Sequence, residues 1–168
     1  MKIALIVILI SLLSSPSHAQ KVSIERDFQR ERRSLSLVRF AVGEDATSGF
    51  DYLVYKRRSQ VKKIRSVWNG GCCNDPTVED FYFKDGSPVL YMKLSAQKAQ
   101  LGKIIRGSKF PLTAREKLYL SESKLTMWIE NGKTIPPSDP RWKDKEKSLL
   151  EEFKGQLENY RLYQEERK

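Results

Sequence analysis

One stretch of this sequence is written twice, and that duplication limits the fold more than any other feature. Residues 81–92 read FYFKDGSPVLYM and residues 118–129 read LYLSESKLTMWI, aligned at a constant offset of 37 residues. Two-residue turns at Asp85-Gly86 and Glu122-Ser123 fold each copy into an antiparallel hairpin, and Asp-Gly is a strong turn signal. In the simplest register Phe81 then stands opposite Leu90 and Phe83 opposite Pro88. Leu118 likewise stands opposite Met127, and Leu120 opposite Leu125. Opposed residues share a face of the sheet, so each hairpin acquires one apolar side. The other side carries Tyr82, Tyr91, Tyr119 and Trp128, with Asp80 and Lys117 among them. The same register in two copies predicts an antiparallel meander, and the chain as a whole reads as an α+β fold of about six strands with an N-terminal and a C-terminal helix.

Residues 22–37 place Ile24, Phe28, Glu31 and Leu35 on one helical stripe, which predicts a helix to about Leu37. The alternation Ser34-Leu35-Ser36-Leu37 pulls toward a strand at its end. Residues 43–49 are small and polar and read as a loop. A third, degenerate hairpin spans residues 50–68, with its turn at Arg57-Arg58 or at Arg58-Ser59, and a slip of one residue there exchanges its faces. Turn-forming residues fill 69–76. Residues 95–113 read as a long polar link. At the end of the chain Pro136-Pro137 stops the last strand, and Ser138-Asp139-Pro140 reads as a cap followed by a first-turn proline. Trp142, Leu149, Leu150, Phe153, Leu157 and Tyr160 then recur at helical spacing. They predict a helix from about Asp139 to about Glu165 that lies over the apolar face of the meander.

The pattern resembles a class of small exported bacterial proteins without an assigned function, whose meander is compared with MORN- or YwqK-type repeats. Their recurring motif is aromatic-Tyr-aromatic, two or three residues, then Gly-Lys-Leu. Residues 81–86 match its first half, and residues 118–132 with the Pro-Pro break and the charged helix match the later part. Ser87-Pro88 and Ser123-Lys124 depart from its Gly-Lys-Leu end. The resemblance implies the fold and brings no catalytic residues. A smaller echo, Ser48-Gly49-Phe50-Asp51-Tyr52, fits the S-G-x-x-Y motif of periplasmic lysozyme inhibitors.

The chain begins like an exported protein. Lys2 precedes an apolar run at residues 3–13, Pro16 breaks it, and Ser17-His18-Ala19 presents small residues where a signal peptidase reads. That run is short of the roughly 20 residues a membrane span needs. The expectation is a signal peptide at residues 1–19 and a single periplasmic or secreted domain at 20–168, not membrane-spanning.

Charge narrows the partners. The formal net charge is +10, and residues 21–65 hold twelve basic and six acidic side chains. Such an excess favours an envelope or acidic protein, or an anionic glycan. No spacing resembles a nucleic-acid module.

Catalysis has little to draw on. The one histidine, His18, falls within the signal peptide, which leaves no histidine for a nucleophile pair or a zinc site in the mature chain. Glu79-Asp80 and Glu151-Glu152 read as solvated charged faces. Cys72 and Cys73 are adjacent and cannot staple distant segments; they offer a reducible neighbour pair or two soft-metal ligands, short of the four that zinc takes. The aromatic side of the sheet (Tyr82, Tyr91, Tyr119, Trp128) is the candidate binding surface, unless the N-terminal helix covers it through Ile24, Phe28 and Leu35. The sequence thus points to a non-enzymatic binding protein without a cofactor, of inhibitor or immunity type. A thiol redox or metal role at Cys72-Cys73 and a structural role against peptidoglycan are the alternatives. Intact-mass analysis of protein recovered from the periplasm is expected to give a chain beginning at Gln20; a mass that retains residues 1–19 rules out that cleavage.

Overall fold

The computed structural model describes residues 18–43, 49–70, 74–107 and 112–168. Residues 1–17 of the segment expected to be a signal peptide lie outside the described residues, as does the Cys72-Cys73 pair. Eight strands follow one another in a single antiparallel sheet. They are β1 (Ser36–Val42), β2 (Phe50–Arg57), β3 (Gln60–Trp68), β4 (Thr77–Lys84), β5 (Ser87–Ser95), β6 (Thr113–Ser121), β7 (Lys124–Glu130) and β8 (Lys133–Ile135). Helix α1 (His18–Glu31) precedes the sheet, α2 (Leu101–Ile105) interrupts it, and α3 (Trp142–Glu165) ends it. The meander and its terminal helices are as expected, with eight strands in place of six.

The two extra strands lie at the edges. α1 stops at Glu31, not near Leu37, and a 3-10 turn at Arg32–Ser34 leads into β1. The Leu-x-Leu alternation prevails because Leu35 and Leu37, two apart, both reach the core beneath α1, while β1 gains a full ladder with β2 from Ser36↔Lys56 to Val42↔Phe50. At the far edge Asn131 and Gly132 take φ 49° and 78° and turn the chain back into β8. Asn-Gly is the residue pair such a turn demands. The stretch at 95–113 is more than a polar link, because α2 within it buries Ile104 completely against the face that α1 covers.

The three long hairpins share one irregularity. Their turns fall at Arg58-Ser59, Asp85-Gly86 and Glu122-Ser123. Beside each turn the expected pairs form: Lys56↔Val61, Phe83↔Pro88 and Leu120↔Leu125. The next residue of the returning strand is then unpaired. Lys62, Val89 and Thr126 are these bulges, each four positions after the first turn residue, and the ladder resumes at Tyr55↔Lys63, Tyr82↔Leu90 and Tyr119↔Met127. One extra residue moves every later side chain of that strand to the opposite face. Phe81 therefore pairs with Tyr91, not Leu90, and Leu118 with Trp128, not Met127.

That shift builds two cores. Phe81, Phe83, Tyr91, Leu118, Leu120, Leu125 and Trp128 face α3 and close against Trp142, Leu149, Phe153 and Tyr160. The Phe153 ring stands edge-on to Phe81 and Phe83, with centroids 5.2 and 5.3 Å away. Leu53, Tyr55, Val67, Val78, Tyr82, Leu90, Met92 and Tyr119 face the opposite way, toward Phe28 of α1 and Ile104 of α2. The helices are also tied down by polar contacts. Glu146 of α3 accepts the Leu125 amide at 2.6 Å, Lys145 donates to Glu116 at 2.9 Å, and Asn159 donates to the Tyr52 hydroxyl at 3.1 Å.

Burial of this kind contributes ~1.5–3 kcal/mol per large apolar side chain. Leu118→Ala is expected to cost ~2–5 kcal/mol and Trp128→Ala ~3–5 kcal/mol, because both lie in the core under α3. Urea denaturation of both variants beside wild type measures this; a Trp128→Ala protein within about 1 kcal/mol of wild type, the range of surface substitutions, contradicts the bulged register.

Candidate functional site

The four aromatic residues singled out from sequence do not form one surface. The bulges place Tyr82 and Tyr119 toward α1, and Tyr91 and Trp128 toward α3. All four are buried. The N-terminal helix does cover its half of them: the Phe28 ring meets Tyr82 edge-on at 5.3 Å and Tyr55 at 5.5 Å. Tyr91 donates to Glu79 at 2.8 Å. Asp80 lies on the α1 face and is fully buried, and Lys117 on that face pairs with Glu25 of α1 at 2.7 Å. Of the S-G-x-x-Y echo, Ser48 lies outside the described residues; Phe50 is exposed and Tyr52 is buried in the core under α3.

What the α1 face holds instead is a buried ion cluster. Lys63↔Tyr82 and Arg65↔Asp80 are alternate cross-strand pairs of β3 and β4, and the parity that faces Val67 and Val78 inward faces these four inward as well. Lys63 Nζ donates to Asp80 Oδ2 at 2.6 Å and to the Tyr82 hydroxyl at 3.1 Å. Arg65 grips the same carboxylate in bidentate fashion, Nε to Oδ1 at 2.6 Å and Nη2 to Oδ2 at 2.7 Å. The Lys63 ammonium is surrounded by rings, with the centroids of Tyr82, Phe28 and Tyr55 at 4.6, 5.1 and 5.9 Å. Two cations meet one carboxylate, so the cluster carries a net charge of +1 inside the protein. Burial pulls the Lys63 ammonium down to about 7, with Asp80 opposing and Arg65 adding to the fall. Burial works against the Asp80 carboxylate too, but the charges of Arg65 and Lys63 outweigh it and hold its pKa at about 2. The run of residues 56–65 carries the signal for this cluster, since its alternation puts Lys63 and Arg65 on one face with Val67; its cationic character reads as solvent-exposed until the faces are fixed.

Two grooves open to solvent near this end of the sheet. One, of about 510 Å³, runs between α1 and the β4–β5 hairpin and is lined by Ile24, Phe28, Tyr82 and Val89, with charged residues of both signs at its rim. The other, of about 420 Å³, lies where the end of α3 passes β1 and β2, lined by Val38, Tyr160 and Tyr163 and by Lys56, Arg161, Arg167 and Lys168 against Glu165 alone. Beside it project Arg57 and Arg58, both exposed. Lys56, Arg57, Arg58 and Lys62 form no ion pair among the described residues. The described residues contain no group of three or more His, Cys, Asp or Glu arranged to hold a metal ion, and no helix among them is long and apolar enough to cross a membrane.

Comparison with protein-family models, with curated proteins and with solved structures gives no match for this chain.

The buried cluster governs stability through protonation. The unfolded chain keeps Lys63 charged up to its ordinary value of 10.5, whereas the folded chain releases that proton near 7. Between these values the unfolded state holds more protons, so raising the pH favours the folded state. The urea midpoint of wild type is expected to rise between about pH 7 and about pH 10 relative to that of Lys63→Met, which has no such proton. Parallel curves for the two proteins count against a buried, protonatable Lys63. Asp80→Ala, which leaves two buried cations without a counter-charge, is expected to lose about 3–5 kcal/mol.

Proposed function

We propose that the protein is a non-enzymatic binding module of the bacterial envelope that takes an acidic protein partner through its cationic end. The observation that carries this reading is the set of cations at the β2–β3 tip, Lys56, Arg57 and Arg58, which form no ion pair among the described residues and stand beside a groove whose side-chain charge is also positive. Residues 52–65 contain six cations and no acid. Apart from Lys63 and Arg65, which Asp80 holds in the interior, these cations are exposed or half-buried and form no ion pair among the described residues. Like charges held together without counter-charge favour a partner that supplies it, and they steer association more than they strengthen it. Tyr163 in the groove wall, half-buried and hydrogen-bonded to Arg167 at 2.7 Å, offers a flat apolar contact of the kind interfaces favour. The signal-like start of the sequence supports the envelope as the compartment. An inhibitor or immunity-type role fits a domain that offers a rigid charged surface.

Pull-down from periplasmic extract, with wild type and with the Arg57→Glu, Arg58→Glu double variant, tests the reading. Wild type is expected to retain a stoichiometric acidic protein that salt releases, with the interaction screened beyond about 10 Å at 0.1 M ionic strength. The double reversal is expected to weaken binding on the order of tenfold or more, through the association rate. Recovery of glycan in place of a protein, or equal capture by both chains, refutes it.

A further inference from the structure

We propose that the groove between α1 and the β4–β5 hairpin binds a small amphipathic anion: an apolar body with one carboxylate-type head. The site meets the cationic end only at Lys62 and does not rest on the function proposed for it.

Three observations converge. The groove and the ion cluster share walls, because Phe28 and Tyr82 line the groove and also enclose the Lys63 ammonium. A head group that reaches Tyr82 is therefore one side chain from a buried positive charge. Next, while Lys63 is protonated, Lys63, Arg65 and Asp80 sum to +1, and no second carboxylate among the described residues joins them. Last, the Tyr82 hydroxyl accepts from Lys63, and its own hydrogen has no acceptor among the described residues although the residue is only 5% exposed. A carboxylate supplies both the missing acceptor and the missing charge. Such charge-assisted hydrogen bonds are the strong ones.

The rest of the groove selects the body of the ligand. Ile24, Phe28 and Val89 give it an apolar wall. At the rim Asp27, Glu31 and Asp85 are matched in number by Arg30, Lys62 and Lys84, so the rim has no net charge to repel a monoanion. The sign preference is left to the buried cluster. A volume of about 510 Å³ falls within the ~300–1,000 Å³ of small-molecule sites. A cationic or neutral amphiphile of the same length fits the walls but leaves the Tyr82 proton and the cluster charge unanswered.

Titration of the full chain with decanoate, decanol and decyltrimethylammonium, followed by backbone amide NMR shifts, tests the assignment. Decanoate is expected to saturate the site and to bind at least about tenfold more tightly than the other two, since a hydrogen bond to a charged group contributes ~1.5–3 kcal/mol and 1.4 kcal/mol is a factor of ten. Tyr82→Phe removes the donor and keeps the ring; it is expected to lower decanoate affinity about tenfold by the same conversion. Ile24→Trp fills the groove from the helix surface and is expected to abolish binding, with the amide spectrum confirming a folded chain for both variants. Absence of saturable decanoate binding, equal affinity for decanol, or undiminished affinity in either variant overturns the proposal.

Discussion

Three β-bulges at one position decide the architecture. Each long hairpin turns on two residues, makes two pairs, and then inserts an extra residue: Lys62, Val89 or Thr126. A sheet side chain has only two directions, so a single inserted residue exchanges the faces of everything beyond it. Without the bulges Leu90 and Met127 would join Phe81 and Leu118 under α3, and Tyr91 and Trp128 would turn toward α1. With them, Tyr91 and Trp128 join Phe81 and Leu118 under α3 while Leu90 and Met127 pack toward α1, and both faces need a helical cover. The repeat of the device explains how short strands with unlike sequences stack in one regular meander.

The two covers differ in chemistry. Under α3 the core is apolar and closed by rings, with Phe153 edge-on to Phe81 and Phe83 and Trp142 tilted against Trp128 at 6.2 Å. Under α1 the sheet presents Lys63, Arg65 and Asp80 among aromatic residues. A buried ion pair of this sort contributes little net stability compared with apolar packing, yet loss of one partner is costly. It does fix which residues of β3 and β4 lie opposite each other, because only the Arg65↔Asp80 register lets the guanidinium grip the carboxylate with two bonds. Grooves open beside both helices, and the one beside α1 shares Phe28 and Tyr82 with the enclosure of the Lys63 ammonium.

Of the four aromatic residues that drew notice in the sequence, only Tyr82 lines a groove proposed as a site. Those residues hold the layers together. The cations that carry the proposed partner binding sit at the β2–β3 tip, where Arg57 and Arg58 are exposed. Charge excess was visible in the composition; its division into two buried and several exposed cations depends on strand parity and on nothing local.

Much of the fold was legible because it rests on local chemistry. Asp85-Gly86 occupies a turn with both φ values positive, a conformation these residue types adopt at low cost; Asn131-Gly132 takes the same conformation but was not among the expected turns. The stripe from Trp142 to Tyr160 could only be one face of a helix, and Phe28 lay on a stripe that did become α1. The end of α1 was decided by tertiary structure: residues 34–37 suit either a helical turn or a strand, and pairing with β2 settles the choice. So too for the faces. The sequence around Val89 and Thr126 carries no mark of a bulge, since an extra residue in a strand is a matter of what the partner strand pairs with. Turns and helices are encoded by neighbours along the chain; the face a side chain occupies, and with it the buried Lys63 cluster and the groove above it, is set by neighbours across the sheet.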